Sequence, residues 1–269
     1  MNLQNLFSEI EKVDGEIFDR LAHVSRRSLF SSLTKKTIAV AAPAIMASAL
    51  TKAYGQSSSL PQNVKDVLNF ALALEYLEFN FYNYANNLTM IPSNYKPAFE
   101  LIREHEQVHV RLLRSVLGSD AISRPNFDFT AKGTFNDVFS NFATFTAVAQ
   151  TFEDTGVRAY KGQAANLMNA PAILQVALQI HATEAAHAAN VRYVRGQKGW
   201  ITGGTAAMQG LPAVVDGNYK GEDNVIQGGV NVPAILAGDS RITQDMITQA
   251  FDEPLDKATV LSLVAPFFA

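Results

Sequence analysis

Two four-residue segments of this 269-residue chain, Glu106-Gln107-Val108-His109 and Glu184-Ala185-Ala186-His187, share the pattern Glu-x-x-His. Each follows another glutamate, Glu75 or Glu153, by 31 residues. On an α-helix, side chains three positions apart point about 60° from one another, so the Glu and His of each segment can reach a common point. Two such segments and two further glutamates make a ligand set for a pair of metal ions. A chain carrying them must bring four helices together around one polar point, which constrains its fold more than any other feature.

The chemistry explains why these residue types occur together. Four carboxylates in a helical core would take up protons rather than stay charged, because burial penalises the ionised form. Two divalent cations cancel all four charges. The imidazoles add neutral nitrogen ligands suited to iron, manganese or zinc, and the carboxylates can bridge two metals or bind one terminally. A lone Glu-x-x-His reads more simply as a salt-bridging pair on a helix surface. Its duplication at equal spacing, in a chain with only 12 glutamates, favours the metal centre.

Residues that are not ligands repeat at the same offset of 78: Ala71 with Ala149, Tyr82 with Tyr160, Met90 with Met168, Ile102 with Ile180, Arg114 with Arg192 and Gly118 with Gly196. One helical hairpin is used twice. Two copies make a pseudo-symmetric pair rather than a solenoid, which needs at least three to bury its faces.

Residues 62 to 196, with the segments ALALEYLEFNFY, REHEQVHVRLL, QTFEDTGVRAY and QIHATEAAHAANVRYV, resemble the ferritin-like superfamily. The wording is most similar to the bacterial ferritin-like domain proteins that include desiccation-related relatives. The resemblance implies an all-α fold: a four-helix bundle with a long crossover between helices 2 and 3. It places metal ligands at Glu75, Glu106, His109, Glu153, Glu184 and His187, filling all six positions of the family pattern. It implies two divalent ions, iron or manganese, and says little about residues 197 to 269.

Along the chain, Gln56 to Pro61 reads as a linker and the first helix as running to about Leu88. Ile91 to Pro97 makes a turn before a second helix that ends at Gly118. Residues 119 to 133 are the crossover, the third helix runs from Thr134 to about Leu167, and the fourth from Pro171 to Arg195. Nine glycines between 196 and 230 predict irregular loop, with Trp200 and Leu211 to Val215 packing on the bundle. Residues 241 to 251 and 254 to 265 read as two short helices of a C-terminal extension spanning 197 to 269, with Phe267-Phe268 as a terminal lid.

Residues 1 to 55 read as an address. Ser25-Arg26-Arg27-Ser28-Leu29-Phe30 resembles a twin-arginine export motif, followed by an apolar run from Thr37 to Leu50. Fourteen residues are too few to span a bilayer comfortably, so a removable signal is expected and no stable membrane span. This implies the export machinery as a partner and a periplasmic or extracellular location. The alternative makes residues 3 to 24 an amphipathic helix and 37 to 50 a core helix of a cytoplasmic protein. Beyond residue 55 the chain carries 15 basic and 20 acidic residues, which gives no footprint for nucleic acid. The absence of cysteine excludes disulfides and a lipidated cysteine.

Three further residues are candidates for catalysis. Glu78 shares the face of Glu75 and reads as an extra ligand, a proton shuttle or a rim salt-bridge former; its repeat counterpart is Gly156. Tyr82 and Tyr160 lie seven residues beyond a ligand glutamate, where they could orient ligands, relay an electron or fill the core. His105 and His181 read as satisfied boundary histidines, and Arg114 and Arg192 as partners of carboxylates near helix ends. The expectation is a redox-active dimetal protein of ferroxidase or manganese-catalase type. The alternatives are a non-catalytic metal-binding protein and a stress-related structural one. A homo-oligomer is compatible with each.

Overall fold

The computed structural model describes residues 60–236, 239 and 241–269. The export motif, its apolar run and residues 56–59 of the linker lie outside the described residues. Four helices dominate: α1 (Gln62–Ala85), α2 (Lys96–Leu117), α3 (Phe142–Gln163) and α4 (Pro171–Val194). α1 pairs with α2 and α3 with α4, so the bundle consists of two hairpins.

Local chemistry sets the helix ends. The carbonyl of Pro61 accepts the N–H groups of Val64 and Lys65 at 3.0 Å, starting α1 directly after a residue that could not sit deeper in it. Gly118, at φ 57°, stops α2, and Pro171 opens α4, where the missing N–H has no helical acceptor in any case. The bundle ends of the hairpins are buried in two apolar clusters. One is rich in phenylalanine (Phe81, Phe99, Phe145, Phe152) and the other is mainly aliphatic (Val67, Leu68, Leu112, Leu113, Ile173, Ile180).

The structure corrects the start of the third helix. It begins at Phe142 rather than Thr134, and residues 131–140 form successive turns. Ala131, Lys132 and Gly133 all have positive φ (48°, 55° and 91°), a conformation no helix contains. The Asp128 carboxylate holds this turn, accepting N–H groups of Thr130 and Lys132 at 3.0 Å each. Phe135 and Val138 are buried and mimic a helical stripe, because a buried turn also has to point its apolar side chains inward. The helix proper starts where Asn141 caps it, its side-chain oxygen accepting the Ala143 N–H at 3.0 Å. α1 likewise stops three residues short of Leu88.

Past residue 196 the chain folds back over α3. It forms a hairpin of β1 (Ile226–Gln227) and β2 (Val230–Asn231), with Ile226 opposite Asn231. Gly228 and Gly229 make its tight turn at φ 58° and 82°. Three short helices follow: α5 (Val232–Ile235), α6 (Gln244–Thr248) and α7 (Lys257–Val264). The last two are shorter than their sequence pattern implied, because Thr243 and Asp256 cap them late. Leu211 and Val215 are buried as expected, but Trp200 is 51% exposed. Its indole N–H donates to Gln249 at 2.9 Å instead of packing on the bundle.

This covering explains why α3 is buried on every side from Thr151 to Tyr160. Tyr219 donates to Asp154 at 2.7 Å, Asp154 pairs with Arg192 of α4 at 2.5 Å, and Asn218 donates to Thr155 at 2.8 Å. Arg158 pairs with Glu222 at 2.8 Å and donates to backbone carbonyls of Asn218, Lys220 and Glu253. The Leu255 N–H donates to the Arg158 carbonyl at 3.1 Å. Gly162 permits the approach, since a Cβ there would lie 1.9 Å from the Leu255 carbonyl oxygen. The last residues pack on the crossover, with Phe267 stacked on Phe135 and the Ala269 N–H donating to Asn126.

Candidate metal centre

Between the two apolar clusters the bundle is polar. α1 contributes Glu75, α2 Glu106 and His109, α3 Glu153, and α4 Glu184 and His187. The four glutamates are fully buried, and the histidines are 7% and 4% exposed. The side chains form two groups, each able to offer ligand atoms within 4.8 Å of one another: Glu75, Glu106, His109 and Glu184, and Glu106, Glu153, Glu184 and His187. Glu106 and Glu184 belong to both groups, so the two groups share two carboxylates.

The 78-residue offset reappears as a symmetry of contacts. His109 Nδ1 lies 3.1 Å from Glu75 and 3.4 Å from Glu184. His187 Nδ1 lies 3.3 Å from Glu153 and 2.8 Å from Glu106. The two tyrosines exchange in the same way. Tyr82 donates its hydroxyl to Glu153 at 2.5 Å, and Tyr160 donates to Glu75, so each hairpin's tyrosine orients a glutamate of the other. Both rings are also buried in the core, so the geometry shows two of the three roles anticipated for them, orienting a carboxylate and filling space.

The symmetry is broken in two places. His105, half-buried, stacks on His187 with its Nδ1 2.9 Å from His187 Nε2, which leaves the Nδ1 of His187 facing the carboxylates. The counterpart position is Thr183, whose hydroxyl donates to the Gln179 carbonyl instead. Glu78 is 3% exposed and faces carboxylates rather than a cation at the rim, which overturns its reading as a rim salt bridge. Its counterpart Gly156 makes the room: a Cβ there would lie 2.9 Å from a Glu184 oxygen and 3.2 Å from a Glu78 oxygen.

Other expectations fared unevenly. His181 belongs to neither ligand group, yet its buried Nε2 has no hydrogen-bond partner, so it is not the satisfied histidine expected. Arg192 pairs with a carboxylate as anticipated, whereas Arg114 is exposed and joins no ion pair among the described residues. Sequence reasoning missed Asp154, Arg158, Tyr219 and Glu222, the network beneath the C-terminal extension. A glycine in mid-helix was the one signal of close packing around Gly156, since glycine weakens a helix without some such reason.

The electrostatics are those of charges gathered in a dry core. Burial pushes Glu75 up to about 7. Burial and then neighbouring carboxylates push Glu78 and Glu184 well above the ordinary range, and burial raises Glu153. Burial alone would raise Glu106 too, but His109 and His187 outweigh it and hold this carboxyl low. Burial disfavours the imidazolium of His187, yet Glu153 and Glu106 lift it to about 11, and Glu75 and Glu106 act likewise on His109. Burial and the adjacent Glu153 and Glu75 keep Tyr82 and Tyr160 protonated.

Glu106 Oε1, Glu153 Oε2, both oxygens of Glu184 and His187 Nδ1 are buried without a hydrogen-bond partner. His187 Nδ1 and Glu106 Oε1 approach to 2.8 Å without hydrogen-bond geometry. Polar atoms orphaned in a core are costly, and a cation coordinated by these oxygens and this nitrogen would satisfy them together. The donor set of carboxylate oxygens and imidazole nitrogens fits a first-row divalent metal.

No described helix is long and apolar enough to cross a membrane. No curated protein sequence matches the chain. Compared with known families, residues 63–197, half of the chain, match the ferritin-like domain. Together with two helical hairpins that converge their carboxylates and imidazoles on one buried point, this match places the chain in the ferritin-like domain family.

Proposed function

We propose that the chain binds two divalent metal ions, iron or manganese, and works as an oxidoreductase toward oxygen or peroxide. One ion would be held by Glu75, Glu106, His109 and Glu184, the other by Glu106, Glu153, Glu184 and His187. The observation that carries this reading is the convergence of these buried side chains with several of their atoms unpartnered. When bound, such a pair supplies electrons in single steps and polarises an oxygen-containing ligand.

The chain's own residues set the conditions for that chemistry. Tyr82 and Tyr160 fix the orientation of Glu153 and Glu75. Glu78 and Glu184 share the space above Gly156, and burial favours a proton on Glu78, which suits it to hold or deliver one at the edge of the centre. His105 holds the ring of His187 from outside. The apolar clusters on both sides exclude bulk water.

Elemental analysis of protein purified from its native compartment tests the metal content, with two iron or manganese ions per chain expected. Replacing Glu106 and Glu184 with alanine is expected to abolish pair binding and any oxygen- or peroxide-dependent activity together. A double variant that keeps two metals would overturn the assignment. The near-complete burial of the ligands also suits a purely structural, stress-related role, and chelation that unfolds the protein without any measurable turnover would favour it. Ser25 to Phe30 and the apolar run after it support export to the periplasm or beyond. Mass spectrometry of the mature N-terminus, expected near Leu50 or Gln56, tests that part.

A further inference from the structure

The two apolar clusters are related by the repeat but are not equally filled. At the end beyond Tyr82, Phe81, Phe99 and Phe145 pack tightly: Phe81 and Phe145 stack at 5.0 Å, and Phe99 meets Phe145 at 5.1 Å. The residues 78 positions away are Ala159, Ala177 and Val67. These three line a partly open, largely apolar cavity of about 30 Å³ at the other end of the bundle, together with Tyr160, Phe70 and aliphatic side chains of all four helices. Where one end of the bundle places three aromatic rings, the other leaves space.

The cavity's position and chemistry restrict what it can hold. Tyr160 forms part of its wall and donates its hydroxyl to Glu75, so one ring separates the space from a metal-binding carboxylate. Apart from Gln163, whose side-chain oxygen accepts from Asn166, the wall offers an occupant little but carbon. A water molecule needs about 10–15 Å³ and two to four polar partners; here the volume suffices and the partners are lacking. Hydrogen peroxide meets the same objection. Val116 of α2 and Val176 of α4 are the partly exposed lining residues, so the approach from solvent runs between those helices.

We infer that this cavity is a binding site for a small, neutral, apolar molecule of diatomic size, dioxygen above all, held one tyrosine ring away from the metal ligands. None of the six candidate metal ligands lines the space. Its use in supplying dioxygen rests on the function proposed above, and it selects dioxygen over peroxide as the co-substrate.

Crystals of the full chain, metal-free and metal-loaded, pressurised with xenon, test the site directly. A xenon atom is expected between Val67, Ala159 and Ala177, and it should vanish in Ala177→Phe, which copies the residue at the filled end. Ala177→Leu serves the same purpose if the larger ring prevents folding. With iron(II), the variant should need several-fold more dioxygen for half-maximal oxidation while keeping the parent's metal stoichiometry. A parent cavity that holds ordered water or no xenon would overturn the inference, as would a variant with unchanged oxygen dependence. Failure of the chain to bind a metal pair would instead remove the proposed function, and xenon occupancy would still decide the cavity.

Discussion

Removing metal from this protein should make its stability fall as pH rises from about 4.5 to about 7, the reverse of the usual acid sensitivity of folded proteins. Glu75 is the group with the clearest value. Burial raises it from 4.5 to about 7 in the folded chain. The fold therefore holds this proton more tightly than the unfolded chain does. The stabilisation is fully present below pH 4.5 and is lost as pH climbs through 7. That shift corresponds to about 3 kcal/mol. Glu78, Glu153 and Glu184 are raised too and add with the same sign. Glu106, held low by the histidines, titrates below this window. His187, raised to about 11, gives stability that is fully present below about pH 6.5 and is lost as pH rises from there towards 11, so it adds the same sign at the top of the window.

Metal should erase most of this slope, because a cation takes the place of the protons. Glu222, raised to about 7 by burial outside the centre, provides an internal control: its share of the slope should persist in both forms. Urea unfolding of chelated and metal-loaded protein at a series of pH values measures the difference between the two curves. It should widen by several kcal/mol, roughly the amount the carboxylates lose, as pH rises to neutrality. If the metal-free protein instead gains stability across the window, these carboxylates are not gathered in a dry core.

Gly162→Ala should destabilise the chain by about 1–3 kcal/mol or more, read as a lower urea midpoint, because its Cβ would overlap the Leu255 carbonyl and push the C-terminal segment off α3. Arg192→Met leaves Asp154 buried with only Tyr219 as a donor, and the cost should be about 3–5 kcal/mol by thermal unfolding. Tyr82→Phe removes a hydrogen bond to the buried carboxylate of Glu153, which should cost about 1.5–3 kcal/mol. A structure of the variant should show Glu153 in more than one orientation.

Much of the centre could be read from sequence because its geometry is short-range and repeated. Three-residue spacing fixes which side chains share a helix face, and two copies of the pattern imply that the faces meet. Contacts between elements were legible only where the repeat reported them, as with Tyr82 and Tyr160. The third helix was read eight residues too long at its start because Phe135 and Val138 satisfy a helical stripe from within turns. What ended that reading is an aspartate, Asp128, whose role depends on backbone N–H groups that no apolar pattern records. The clamp on α3 was invisible for a similar reason: Arg158 reaches carbonyls of residues 218, 220 and 253, far away in the chain.

The crossed tyrosine bonds have a consequence for how such a molecule could arise. Each hairpin completes the other's carboxylate, so a chain with a single hairpin would own half a centre and would have to associate with a second copy to make a whole one. Identical copies would be bound to identical residues at every paired position. Joining them in one polypeptide lifts that restriction, and the two halves differ at positions near the centre. A glutamate now faces a glycine, a histidine answers a threonine, and aromatic rings at one end stand opposite open space at the other. A pair of equal ions would sit in unequal surroundings, one half free to specialise while its twin preserves the fold.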